Sequence, residues 1–138
     1  MDFNKKNIER KLSSRCIGRK IHFLNKVDST NTYAENPVKN GAMEGEVVIA
    51  DCQTKGRGRM HRVWHSPAGL NIFTSIILKP SIDPASASPI TLTAGVAMAE
   101  LISKFCPGRV KLKWPNDILI DGKKICGILS EMITESPG

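Results

Sequence analysis

Two apolar, β-branched runs, residues 46–52 (EVVIADC) and 70–79 (LNIFTSIILK), bracket a segment that cannot share their core. Each run reads as a buried strand. Between them, residues 55–65 (KGRGRMHRVWH) carry Lys55, Arg57, Arg59 and Arg62 and no acid, and Gly56 and Gly58 alternate with the first arginines. The pattern demands two strands joined by a long cationic loop held out of the core. Glycine gives that loop backbone freedom, and arginine gives it permanent charge with planar, bidentate donors. An anion is its natural guest, and phosphate suits it best. Trp64 offers a flat surface on which a base can stack, or else a loop anchor packed on the core.

The chain has 138 residues and 41% hydrophobic content, which suits one domain with a reasonable core. No apolar run approaches the length needed to cross a bilayer, and residues 1–20 are too polar for a secretory signal. Cys16, Cys52, Cys106 and Cys126 form no CxxC pair. That usage predicts reduced thiols, a cytoplasmic setting and no membrane partner. The net charge of +7 is uneven: residues 1–26 hold eight basic and two acidic residues. Such a run predicts a solvated helix face.

Along the chain, residues 4–13 read as a short helix with Ile8 and Leu12 on one side, and residues 19–24 as a strand. Asp28-Ser-Thr-Asn31 is a capping cluster ahead of a helix over 32–38, which Pro37 and Gly41 end. Ser88-Pro89 predicts an N-cap and first helical turn. Ile90, Ala94, Ala97, Leu101 and Phe105 then form the apolar stripe. Residues 110–114 alternate as a half-buried strand. Asp121-Gly122 is a two-residue hairpin turn between strands over 116–120 and 123–132. The expected fold is α+β: a mixed, largely antiparallel sheet with helices packed on one face and no regular βαβ alternation.

The hairpin fixes geometry. Ile120 must pair with Lys123 and Leu119 with Lys124, so Asp117, Leu119, Lys124 and Cys126 project to one face. Asp117 and Lys124 become diagonal neighbours, and Lys113 approaches the same region. A surface salt bridge is one reading. The stiff Trp-Pro-Asn-Asp corner after Lys113 and Gly127 within a strand favour a binding site.

Five segments in this order resemble the catalytic domain of biotin protein ligases: Asp28-Ser-Thr-Asn31, Gln53, Gly56-Arg-Gly-Arg59 through Arg62-x-Trp64, Lys113-Trp-Pro-Asn-Asp117 and Lys124-x-x-Gly127. The resemblance runs from about Ile21 onward. It implies a fold like that of class II aminoacyl-tRNA synthetases and biotin ligases. It implies that Ser29, Thr30, Asn31 and Gln53 line a pocket for biotin's ureido ring. A buried urea presents two donors and one acceptor, and hydroxyl and amide side chains supply partners of both kinds. It further implies that Arg57, Gly58 and Arg59 contact biotin and the adenylate. Lys124, with Gly127 beside it, reaches the carboxylate and α-phosphate end. Arg62 and Trp64 cover the nucleotide, and Asn116 and Asp117 help bind Mg²⁺. Arg57, Lys113 and Lys124 are then the catalytic cations. The implied reaction joins biotin to ATP and passes it to a lysine of a biotin carboxyl carrier domain. A homodimer joined through sheet edges is implied by the resemblance alone.

The chain departs from the pattern at His61, where the family has glycine. Histidine tolerates positive φ better than most residues, so the turn is expected to survive. No helix-turn-helix region is expected within the first 26 residues, and hence no sequence-specific DNA binding. The resemblance implies a further glycine- and asparagine-containing strand and commonly a C-terminal β domain, neither of which is expected within residues 1–138, so these residues are expected to be an incomplete catalytic domain. The loop is expected to be mobile when empty and to close over the adenylate. Three alternatives compete: a biotin-binding but catalytically incomplete fragment, a nucleic-acid-binding module using the Arg-Gly-Arg loop, and a lipoate ligase, against which that loop argues.

Overall fold

A computed structural model describes residues 4–133. The chain forms two compact units, residues 1–80 and 81–138.

The first unit contains α1 (Lys5–Lys11), β1 (Ile21–Leu24), α2 (Thr30–Lys39), β2 (Val47–Ala50) and β3 (Phe73–Ile76). The strands make one sheet in the order β1-β2-β3. β1 runs parallel to β2, and β3 is antiparallel to it. Thus β1–α2–β2 is a parallel crossover, which the irregular order of elements concealed. Strand β2 is buried along its whole length, as its unbroken apolar run requires. On one face Ala34, Ala42, Val48 and Ile77 pack with Leu24, Tyr33 and Val38. On the other, Ile21, Val47 and Ile49 pack with Ile8 and Phe23. The sheet therefore carries α2 on one face and Ile8 of α1 on the other, not both helices on one side.

Helix α2 starts two residues before the expected point and runs through Pro37 to Lys39. Gly41 is what stops it. With φ +77° it adopts the left-handed conformation, its N–H donates to Val38 O at 3.2 Å, and Ala42 N–H donates to Pro37 O at 2.9 Å. This is a Schellman cap, and the proline is tolerated because it lies in the last turn.

The second unit contains α3 (Ser88–Ser103), β4 (Val110–Lys113), β5 (Asp117–Ile120) and β6 (Lys123–Gly127). The strands form a separate antiparallel meander, β4-β5-β6. Among the described residues there are thus two three-stranded sheets, not one. Asp121 and Gly122 have φ of 48° and 78°, as a type I′ hairpin turn requires. Leu119 pairs with Lys124 and Ile120 with Lys123, as expected. A bulge then places Cys126 opposite Ile118. Cys126 consequently leaves the face of Asp117, Leu119 and Lys124.

Two further expectations for α3 fail. Ala87 rather than Ser88 is its N-cap. Its inward stripe runs through Thr91, Ala94, Gly95, Met98, Ala99 and Ile102, while Ala97, Leu101 and Phe105 are exposed. Gly95 faces Leu112 and Ile128, and a Cβ on it would lie 3.6 Å from Leu112 Cδ1, an ordinary contact. The segment Pro84–Ser103 is also long and apolar enough, by length and composition alone, to cross a bilayer.

Candidate functional site

The first unit gathers the predicted polar pocket around one side chain. Gln53 Oε1 accepts from Thr30 N at 2.8 Å and from Thr30 Oγ1 at 3.1 Å. Ser29 is the N-cap of α2 by backbone geometry, but its side chain makes no capping bond. Thr30 N–H is one of the helix's orphan donors, and Gln53 satisfies it from across the fold. Asp28 Oδ1 accepts from Ser29 N at 2.6 Å and so shapes the turn leading into the helix. Ser29 and Thr30 are buried, and Asn31 and Gln53 half-buried.

Ser75, absent from the predicted set, completes the cluster. Its hydroxyl lies 2.8 Å from Thr30 Oγ1 and also bonds Asn31 Oδ1. A signal was present in the sequence: Phe73, Ser75 and Ile77 share the buried parity of β3, so a serine interrupts an inward apolar row. Ser66 and Thr32 were missed as well. Ser66 Oγ accepts from Gln53 Nε2 at 3.3 Å, and Thr32 Oγ1 accepts from Arg57 Nη1 at 2.6 Å.

The cationic segment is a small hairpin. Arg57 and Val63 form an antiparallel bridge. Gly58 N donates to Arg62 O at 2.7 Å, and Trp64 N to Gly56 O at 2.8 Å. A single 3-10 turn at Arg59–His61 closes the tip, where Met60 and His61 have φ of 56° and 58°. His61 thus adopts the left-handed conformation, as expected of a residue at a glycine position. The Arg57 guanidinium donates to Thr32 Oγ1, which ties the hairpin to α2. Arg59 and Arg62 are exposed, and Trp64 is half-buried.

The second unit assembles the other predicted residues. Lys113 pairs with Asp117 across β4 and β5, and Asp117 with Gly127 across β5 and β6. Lys124 Nζ lies 2.7 Å from Asp117 Oδ1. Two lysines therefore flank one carboxylate on one sheet face, as the hairpin register required. Asn116 donates its side-chain N–H to Ile128 O at 2.8 Å. No cluster of three or more His, Cys, Asp or Glu suited to a metal occurs among the described residues.

One polar group lies outside the predicted set. Glu46, whose side chain is 3% exposed, accepts from His22 Nε2 at 3.0 Å, from Met43 N at 2.9 Å and from Lys20. The His22 hydrogen bond, reinforced by the Met43 amide and Lys20, holds its carboxyl down at about 2 against the opposing effect of burial.

The features belong to an α+β chain: a hydroxyl and amide pocket and an arginine hairpin in the first unit, and a lysine–carboxylate ribbon in the second. The sequence pattern of the biotin/lipoate A/B protein ligase family matches residues 23–137, and the chain belongs to that family. It is 44% identical over 124 residues to the bifunctional ligase/repressor BirA of Bacillus spizizenii, covering 90% of this chain and 38% of that protein. The biotin protein ligase of Leishmania major, solved with biotinyl-5-AMP, superposes with a TM-score of 0.71 at 29% identity over 80% of this chain and 51% of that one. The enzyme from Aquifex aeolicus, solved with biotin and ATP, gives 0.67 at 33% identity over 83% and 47%. The chain thus spans about half the length of these proteins or less.

Proposed function

We propose that this chain carries the biotin- and adenylate-handling core of a biotin protein ligase. The supporting observation is the Gln53–Thr30–Ser75–Asn31 cluster in the same unit as the Arg57–Trp64 hairpin, within a chain of this family. Ser29, Thr30, Asn31 and Gln53 hold the ureido ring. Arg57, Gly58 and Arg59 take the biotin carboxylate and α-phosphate. Arg62 and Trp64 cover the nucleotide.

The reaction has two halves. A biotin carboxylate oxygen attacks the α-phosphorus of ATP, and the bond to pyrophosphate breaks. The amine of a carrier-domain lysine then attacks the acyl carbon, loses a proton to solvent and displaces AMP. A carboxylic acid ordinarily titrates at about pH 4 and is already ionised at neutral pH, so the first half needs no general base. Its obstacle is the meeting of two anions, and fixed cations in position remove it. Arg57, Arg59 and Arg62 of the first unit serve that end, and Lys113 and Lys124 of the second are cations of the same kind. The reaction therefore needs no Ser/His/Asp or Cys/His constellation.

Asn116 and Asp117 do not fit a Mg²⁺ site of their own. Asp117 is engaged by Lys124, and a second cation beside that ammonium is unfavourable. Mg²⁺ arriving on the ATP phosphates requires neither residue, and no step here is assigned to the ion.

Pyrophosphate release dependent on both biotin and ATP tests the proposal. Arg57→Ala and Lys124→Ala should each lower it at least about 100-fold, the scale of a lost transition-state contact. Turnover like that of the unaltered chain in both variants refutes the site. Thermal stabilisation by biotin without pyrophosphate release selects the biotin-binding but catalytically incomplete reading.

A further inference from the structure

We infer that Ser66 is a positioning residue, the link through which the Gln53–Thr30 pocket and the root of the arginine hairpin hold each other in place. The inference deepens the proposed function and rests on it only for the identity of the guest. Gln53 uses both ends of its amide. Its oxygen takes the first amide and the hydroxyl of Thr30, at the start of α2. Its nitrogen donates to Ser66 Oγ at 3.3 Å, and that hydroxyl in turn donates to Trp64 O at 2.9 Å. Gln53 N–H also donates to Ser66 O at 3.2 Å. A directional chain therefore runs from Thr30 through Gln53 and Ser66 to the peptide of Trp64, whose own N–H closes the hairpin on Gly56 O. Each hydroxyl has a single hydrogen to give, so rotating one member redirects its neighbours.

The packing excludes slack at this point. Ser66 is 6% exposed. A Cβ on Gly56 would lie 2.4 Å from Ser66 Oγ, 2.6 Å from Trp64 O and 3.2 Å from Gln53 Nε2. The amide, the hydroxyl and the hairpin root meet in a space with no room for a methyl group. A urea bound at Thr30 and Gln53 competes for the same lone pairs and hydrogens, so it re-aims the Gln53 amide. Ser66 is the group that reports this to the segment carrying Arg57, Arg59 and Trp64.

Amide hydrogen exchange on the whole chain tests the link with no ligand present. In Ser66→Ala, the amides of Trp64 and Gly58 should exchange about 5-fold faster, the scale of one lost hydrogen bond. The amide of Thr30, at the far end of the chain of bonds, should accelerate with them, while Val48 and Ile49 in β2 stay unchanged as the folding control. Gln53→Ala, run in parallel, cuts the chain at its centre and must speed the Trp64 amide even if Ser66→Ala does not fold. An unmoved Thr30 amide in a folded Ser66→Ala, or an unmoved Trp64 amide in Gln53→Ala, overturns the inference. Adding biotin separates the two ideas. Protection of residues 56–64 by biotin in the unaltered chain but not in Ser66→Ala supports both. An intact ligand-free response with no biotin binding keeps the link and removes the function.

Discussion

Gly56 and Gly58 look equivalent in the sequence, yet the structure gives them opposite tolerances. Neither has a positive φ, so only space distinguishes them. A methyl group at Gly56 would meet Ser66 Oγ at 2.4 Å and Trp64 O at 2.6 Å, both far inside van der Waals contact. The carbonyl cannot retreat without loosening the hairpin whose root it forms. Overpacking of this kind costs about 1–3 kcal/mol, and two simultaneous clashes, one with backbone, place Gly56→Ala at about 2–3 kcal/mol. At Gly58 the nearest atoms, Arg62 O and Cβ, are 3.7 and 3.9 Å away. That is ordinary contact, and the lower entropy of the unfolded chain offsets any residual cost, so Gly58→Ala should lie within about 0.5 kcal/mol of the unaltered protein. Because the chain has two compact units, a single melting curve can mix two transitions. Urea-dependent hydrogen exchange at Val48 and Ile49 reads the unit that holds the hairpin. The proposed site adds a second axis. If the Gly58 backbone lies against the adenylate, Gly58→Ala should lower pyrophosphate release about 10-fold or more while leaving stability alone. Equal destabilisation by the two substitutions, or a Gly56→Ala protein as stable as the parent, refutes the reasoning from space.

Glu46 has a carboxyl held below its ordinary value, at about 2. Its contribution is therefore full above about pH 4.5 and is lost as the pH falls toward 2. The stability difference between the parent and Glu46→Gln should shrink as the pH falls below about 4.5, read by urea-dependent hydrogen exchange at Val48 and Ile49; a difference that does not change over that range would exclude the His22–Glu46 arrangement. Gly95→Ala should stabilise the second unit by about 0.5–1 kcal/mol. The added methyl meets Leu112 at 3.6 Å and Ile128 at 4.0 Å, ordinary contacts, and alanine is the better helix former. Destabilisation by more than about 1 kcal/mol, measured by hydrogen exchange within α3, would show that the helix lies closer to the sheet than these distances allow.

Local chemistry was legible wherever the deciding partners are near in sequence. Asp121-Gly122 could be read as a type I′ turn because two consecutive positive φ values suit little else, and the turn fixed the register that brings Lys124 to Asp117. That reading stopped at the bulge. Nothing in residues 123–127 marks where an extra residue enters the ladder, so parity counted from the turn placed Cys126 on the wrong face. Gly41 was legible as a helix stop for the same local reason, whereas Pro37 misled because a breaker is tolerated once the remaining turn is short.

Long-range choices were not legible. Periodicity favoured Leu101 and Phe105 on the inward face of α3 because they are large and apolar. The helix instead turns Ala94, Gly95 and Ala99 inward, with Gly95 against Leu112 and Ile128, a choice set by partners distant in sequence. The start of α2 presents the same difficulty in polar form. Asp28, Ser29 and Asn31 are all competent caps, and the sequence offers no reason to look elsewhere. The orphan amide of Thr30 is taken by Gln53, which is 23 residues away and lies beyond β2. A residue recruited from that distance does more than satisfy one donor. It makes the geometry of the helix start depend on the strand and loop that carry it, and in this chain that loop is the arginine hairpin. Gln53 thereby joins the helix start to the root of the hairpin through Thr30 and Ser66, beside the direct bond from Arg57 to Thr32.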